Sequence, residues 1–176
     1  MDLVEQLIMD WAREAPDLDA KPMAIVGRIL HLGRVLENRA NAVLKPYNLH
    51  YTDLDVLATL RRSGAPFRQT PTALRRSVLI TSGAMTAALD RLERTHLIAR
   101  ELDDEDRRIR SAVLTDRGRT LIEEAIGARF GEAQAAISGL DIDERDTLTA
   151  LLRKLASTMP TDPPLGPPSH GVDAAR

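Results

Sequence analysis

The run Gln69–Thr115, QTPTALRRSVLITSGAMTAALDRLERTHLIARELDDEDRRIRSAVLT, decides how the chain folds. It holds three devices in succession. Thr70-Pro71 supplies a hydroxyl N-cap with proline at the first helical position, which opens a short helix. Thr81-Ser82 opens a longer helix, expected to run to about Arg94, in which Met85, Leu89 and Leu92 recur at the spacing of one buried face. The other face carries Ser82, Gly83, Thr86, Ala87, Asp90, Arg91 and Arg94. These side chains are small, hydrogen-bonding or cationic, so the helix can approach a polyanion closely. Two extended runs follow, Leu97–Glu101 and Ile109–Thr115, joined by the charged loop DDEDRR. Helix, turn, helix and a basic-tipped hairpin is the order of a winged helix-turn-helix.

Immediately upstream, a helix is expected over Thr52–Leu60, capped by Thr52 with Asp55 three residues on in the manner of a capping box, and closed by the turn Ser63-Gly64-Ala65-Pro66. Farther out, Leu3, Val4, Leu7, Ile8 and Trp11 form one apolar stripe over about Asp2–Glu14, which Pro16 stops. A second helix near Pro22–Leu44 carries Ile25, Ile29, Leu32, Leu36, Ala40 and Val43. Downstream, Thr115-Asp116 opens a long helix to about Ser138 with Ile122, Ile126, Phe130, Ala133 and Ile137 in register. Asp141 or Asp143 caps a last helix through about Ser157, carrying Leu148, Leu151, Leu152 and Leu155. Neither terminal set can bury its apolar faces alone.

The expected fold class is therefore mainly α: a winged helix-turn-helix with a helical dimerisation region built from both chain termini. Residues 1–46 are assigned to N-terminal helices for dimerisation and an effector site, 47–115 to the DNA-binding domain, and 116–158 to C-terminal dimerisation helices. Residues 159–176, rich in proline and without periodicity, are expected to be a disordered tail. A monomeric helical bundle is the alternative to a homodimer, but one winged helix on one half-site would make a poor specific regulator.

Charge distribution agrees with the pattern. The whole chain is near neutral at −2, yet residues 61–119 hold thirteen arginines against eight acids. A basic middle between acidic ends is the footprint of a DNA-contacting module. Cysteine is absent, which excludes thiolate redox sensing and cysteine-based metal sites. No apolar run approaches the roughly 20 residues needed to span a bilayer, and the N-terminus lacks a basic region before an apolar one. No membrane association and a cytoplasmic location are expected. No nucleophile motif, glycine-rich phosphate loop or histidine ligand spacing is present, so an enzyme, a cofactor and a metal are not expected. A winged helix used only for protein contact is the rival class; it predicts no salt-dependent DNA affinity and has no use for a wing tipped with arginine.

Pro71-Thr72-Ala73-Leu74, Ser82–Thr86 (SGAMT), Leu89–Glu93 (LDRLE), Asp106-Arg107-Arg108 and Leu114-Thr115-Asp116-Arg117-Gly118 follow one another in order. Through these motifs the chain resembles the MarR (multiple antibiotic resistance regulator) family of bacterial transcription factors. The resemblance implies a homodimer that sets two recognition helices in successive major grooves of a pseudo-palindrome. It also implies that Asp106 orients the wing arginine. The family usually has glycine between recognition helix and wing; here His96 stands there, in a position where a left-handed cap is expected.

Double-stranded DNA is thus the expected partner. Thr70, Thr72, Arg75, Arg76, Arg91 and Arg94 are candidates for backbone contact, and Ser82, Gly83, Thr86 and Ala87 for close approach to bases. Arg108, with Arg107 and Arg110 beside it, is expected to enter the minor groove. Members of the family often release DNA when a small anionic aromatic compound binds, so urate or a phenolic acid is the effector class the resemblance implies. Trp11-Ala12-Arg13-Glu14 before Pro16-Asp17-Leu18-Asp19 is similar to the urate-responsive subgroup, whose ligand pattern Trp11, Asp55 and Arg100 match in type and order. Its arginine inside the recognition helix is replaced by Ala88. Arg28 and His31 on the dimer helix are further candidates. Each also has a plain structural use: Trp11 fits the core stripe of its helix, Asp55 a cap, and Arg100 an exposed strand face. A repressor is favoured over an activator, because a dimer covering an operator blocks polymerase without further machinery.

Overall fold

The computed structural model describes residues 1–78, 82–102 and 110–159. Caps and close contacts explain most of its element boundaries. The Thr70 hydroxyl accepts from the Ala73 N–H at 3.2 Å, and with Pro71 behind it starts helix α4, Pro71–Ser77. Helix α5, Ser82–Arg94, buries Met85, Ala88, Leu89 and Leu92. It ends at His96, whose φ of +58° lets the Leu97 N–H reach the Leu92 carbonyl and the His96 N–H reach that of Glu93, both at 2.9 Å. That is the Schellman arrangement glycine usually serves, so the departure at His96 keeps the expected conformation.

The wing consists of β2, Ile98–Leu102, and β3, Arg110–Leu114, antiparallel with Ile98 opposite Leu114 and Leu102 opposite Arg110. A third strand, β1, Arg68–Gln69, pairs with Val113 and Ala112, giving the sheet order β1-β3-β2. So short a strand carries no alternation, and nothing in the sequence announced it.

Helix α6, Asp116–Ala136, begins where the Thr115 hydroxyl accepts from the Gly118 N–H and donates to the carbonyls of His96 and Leu97. Gly118 lies against the wing entry: a Cβ there would stand 2.0 Å from the Leu97 carbonyl oxygen. The glycine of the L-T-x-x-G motif is thus required by close packing of backbone on backbone.

Helix α3, Tyr51–Arg62, corrects an expectation. It starts earlier than Thr52, at N-cap His50, so the acid at the third helical position is Asp53, whose carboxylate accepts from the His50 N–H at 3.0 Å. Asp55 sits a half-turn further on and is buried, outside the capping box.

Helix α1, Leu3–Glu14, is opened by a capping box between Asp2 and Glu5, and helix α2 runs Met23–Leu44 into a 3₁₀ turn at Lys45–Tyr47. Arg28 of α2 bonds Asp2 at 2.7 Å and Glu5 at 3.3 Å, pinning α1 across α2. Of the two acids proposed to cap helix α7, Ile142–Thr158, Asp141 does so, with Glu144 completing the box.

One core joins the end of α2, the winged domain and the first half of α6, with Leu44, Leu57, Leu60, Leu74, Leu92, Ile98 and Ile122 fully buried. The terminal stripes behave otherwise. Ile25, Ile29, Leu32 and Leu36 of α2, Phe130 of α6 and Ile137 just after it, and Leu148, Leu151 and Leu152 of α7 are exposed in the single chain. Among the described residues, no helix is long and apolar enough to cross a membrane, and no cluster of side chains could hold a metal ion. The tail from Pro160 and the wing tip at 103–109 lie outside the described residues.

Candidate nucleic-acid interface and effector site

The candidate recognition surface is the face of α5 turned from the core. Gly83, Thr86 and Ala87 are exposed near its amino end, and a Cβ on Gly83 would meet nothing within 4 Å, so backbone and short side chains are open to a close-approaching surface. Ser82 is the first residue of the helix. Thr72, Arg75 and Arg76 stand exposed on α4, while the Thr70 hydroxyl accepts the cap bond from Ala73 and keeps its own O–H as a donor. Arg94 and Arg110 are exposed at the end of α5 and the start of β3. Asp106, Arg107 and Arg108 lie outside the described residues.

Arg91 has a second commitment. Its guanidinium meets the Asp53 carboxylate at 2.7 and 3.1 Å and the Thr52 hydroxyl at 3.1 Å. The Asp53 carboxylate is 4 % exposed, so this pair fixes the angle of α5 on α3 in partly desolvated surroundings. Arg100 plays a similar part on the surface. It pairs with Asp90 and, at 3.1 Å, with Glu93, and so locks β2 to α5. Arg100 therefore faces carboxylates of the recognition helix rather than solvent. The sequence gives Asp53 no role and names Asp90 and Glu93 only as members of the α5 polar face and the LDRLE motif, since an acid on a helix announces no partner until the helices are packed.

The five effector candidates are dispersed in the single chain. Trp11, 49 % exposed, lines a shallow groove with Leu3, Leu7 and other α1 residues alone. Arg28 is held by Asp2, Glu5 and the Ala24 carbonyl, and His31 is exposed on α2. Asp55 is buried in α3 beside Tyr51. Burial pushes the Tyr51 phenol above its usual range; the charge of Asp55 adds to this and Arg129 opposes it. The Arg129 guanidinium lies 5.8 Å from the Tyr51 ring centre and pairs with Glu132, which also holds Arg39 at 2.6 Å. A charged seam thus joins α2, α3 and α6, and Asp55 borders it while Trp11, Arg28 and His31 do not line it.

The model of the MarR family matches residues 47–109, from the 3₁₀ turn to the wing. The HTH-type transcriptional regulator PecS of Dickeya dadantii is 31 % identical over 86 % of this chain and 92 % of its own. The transcriptional repressor MprA of Escherichia coli is 27 % identical over 89 % of this chain and 88 % of its own. Among solved structures, BpsR of Bordetella bronchiseptica, described as regulated in its DNA binding by 6-hydroxynicotinic acid, superposes with a TM-score of 0.63 at 27 % identity, covering 73 % of this chain and 93 % of its own. The open face of α5, the wing packed on it and these likenesses over nearly the whole length of PecS agree: the chain belongs to the MarR family of DNA-binding transcriptional regulators, which are not enzymes.

Proposed function

We propose that the protein is a homodimeric repressor that binds a pseudo-palindromic operator and is released by a small anionic aromatic ligand. The observation that carries the dimer is the row of exposed apolar side chains on α2 and α7, with Ile25 and Leu30 each 62 % exposed. Surfaces of that kind on helices from both chain ends are what a second copy covers. The dimer then presents two α5 helices, with Ser82, Gly83, Thr86 and Ala87 toward the bases and Thr70, Thr72, Arg75, Arg76 and Arg94 toward phosphates. Arg91 serves first as the α5–α3 clamp and only secondarily as a phosphate contact. The wing arginine Arg108, with Arg107 and Arg110 beside it, enters the minor groove in this reading, and Asp106 orients it. MprA, named a repressor, supports the direction of regulation, and BpsR, regulated by an aromatic acid, supports the effector class. A cytoplasmic site of action follows from the role.

The test is a gel shift on the DNA upstream of the protein's own gene, followed across a salt series. Wild type binds with a steep negative slope, and Arg108→Ala flattens that slope by about one unit and weakens binding. An affinity and slope equal to wild type would remove Arg108 from the interface. Titration with urate and salicylate, followed through Trp11 emission, then relates ligand occupancy to DNA release.

A further inference from the structure

Helices α2 and α6 each pass from the winged core to an exposed apolar stripe. On α2 the change comes between exposed Leu36 and buried Ala40, and on α6 between buried Ala125 and exposed Phe130. Arg39 and Glu132 stand near that border. The Glu132 carboxylate is 5 % exposed, and different guanidinium groups hold its two oxygens, Arg39 of α2 at 2.6 Å and Arg129 of α6 at 2.9 Å. Arg129 also lies over the ring of Tyr51, the first residue of α3, and the Asn41 side-chain oxygen of α2 accepts the Tyr51 N–H at 2.8 Å. Next in the chain, Thr52 and Asp53 hold Arg91 of α5. The start of α3 thus joins the long helices on one side to the recognition helix on the other.

We propose that Arg39, Glu132 and Arg129 are positioning residues for operator recognition, which fix the angle of the winged domain on α2 and α6 and so select the spacing of the half-sites. The inference rests on the homodimer reading above, since a single protomer has no spacing to select. Its physical ground is the directionality of these bonds. Apolar contacts such as those of Leu44 and Ile122 resist separation of the helices but have no preferred direction. A buried carboxylate with both oxygens paired has a much narrower choice of arrangement, because turning α3 against α2 and α6 leaves charge unpaired in desolvated surroundings. The operator demands such a fixed angle: two recognition helices must fall one DNA turn apart, and one base pair moves a half-site by about 3.4 Å along the axis. The pair Arg61–Glu123 also joins α3 to α6, but both side chains are about half exposed, so it adapts to a change of angle.

The experiment measures binding of the full-length protein to its operator, taken as the sequence that the wild type enriches from a pool of random duplexes. Two further duplexes have one base pair inserted or deleted between the half-sites, and another carries a single half-site. Wild type is compared with Glu132→Gln, Arg39→Gln, Arg39→Lys and, as control, Arg61→Gln. Circular dichroism and the melting midpoint check folding; Arg39 is half exposed, so its variants carry the test if Glu132→Gln does not fold. Wild type is expected to prefer the selected spacing by about tenfold. In Glu132→Gln and Arg39→Gln that preference falls to about threefold or less, with half-site affinity unchanged, while Arg39→Lys and Arg61→Gln keep it. A network that only supports the fold would lower the melting midpoint and leave the preference alone. A wild-type preference in the folded glutamine variants of Arg39 and Glu132 therefore overturns the proposal, as does an equal loss on half-site and full operator. Loss of preference in Arg61→Gln overturns it too, because any α3–α6 pair would then serve. If the wild type is itself indifferent to spacing and sediments as a monomer, the homodimer reading fails and the proposal falls with it; if only the variants match wild type, the proposal alone falls.

Discussion

Leu57, Leu60 and Leu74 of the winged half have no exposed surface, whereas Ile25, Leu30 and Leu151 of the terminal helices keep about three-fifths of theirs. Both halves have clean helical periodicity and comparable caps: Thr70 and Thr115 in one, Asp2 and Asp141 in the other. The difference lies in what each stripe meets. In the winged half, α3, α5, the sheet and α6 converge from four directions on one core. At the termini, α7 contributes no buried residue at all, and Val4 is the one buried residue of α1. A cap and a stripe make a helix; only a facing surface makes it a packed one.

The comparison is broken most sharply at Gly118, the tightest point of the closed half. Gly118→Ala drives a methyl group into the Leu97 carbonyl and to 2.9 Å from Leu114 Cδ1, so α6 must move off the wing. A loss of about 3 kcal/mol in urea unfolding is expected, at the upper end for overpacking. Stability within about 0.5 kcal/mol of wild type would show that α6 and the wing are not closed as described.

The open half responds in assembly instead. Leu30→Glu with Leu151→Glu places charges on the exposed stripes, and the protein is expected to sediment as a monomer with operator affinity reduced at least tenfold, about 1.4 kcal/mol. Its winged core keeps its fold, checked by near-UV circular dichroism. A dimer that survives both charges would mean that other faces join the copies.

A smaller contrast lies within the winged half, between its two arginine clamps. Asp53→Ala strands Arg91 and removes the acid that ties down the His50 N–H; about 2 kcal/mol is expected, reduced from the fully buried case because Arg91 is one-third exposed. Asp90→Ala breaks a pair whose acid is 60 % exposed and should cost no more than about 0.5 kcal/mol. Equal costs would mean that the burial of Asp53 makes no difference.

The smallest effect is at the α1 cap. The Glu5 backbone N–H lowers the Asp2 pKa below 3.8, with Arg28 helping and the slight loss of solvent opposing. A depressed carboxylate stabilises the fold above its unfolded value and loses that contribution as pH falls through the folded one. Trp11 emission should therefore be constant from neutral pH down to about pH 4 and change only below it, without the winged core unfolding. In Asp2→Asn this late acid step disappears.

Much of this was legible because it is local. The Thr70-Pro71 start, the Thr115 start, the Met85–Leu89–Leu92 face and the left-handed His96 each depend on atoms within about five residues. Where two local options competed, the choice was missed: α3 starts at Tyr51 after His50, which makes Asp53 the capping acid and leaves Asp55 to the interior. Strand β1 escaped notice because its pairing partner lies across the domain in β3. Arg91 and Arg100 were read as cations for DNA and for a ligand, yet both answer to acids of their own fold.

By itself, then, the sequence determined the helices and the wing hairpin, their order, the family and the residue types on the exposed face of α5. These follow from capping, periodicity and side-chain chemistry, which act along the chain. The tertiary structure alone decided which arginine is a clamp, why position 118 admits no side chain, and that Glu132 is held by arginines of two helices. Those depend on groups brought together from distant positions, as when Asp53 meets Arg91 across 38 residues of chain, and on a backbone carbonyl whose approach no side-chain pattern records.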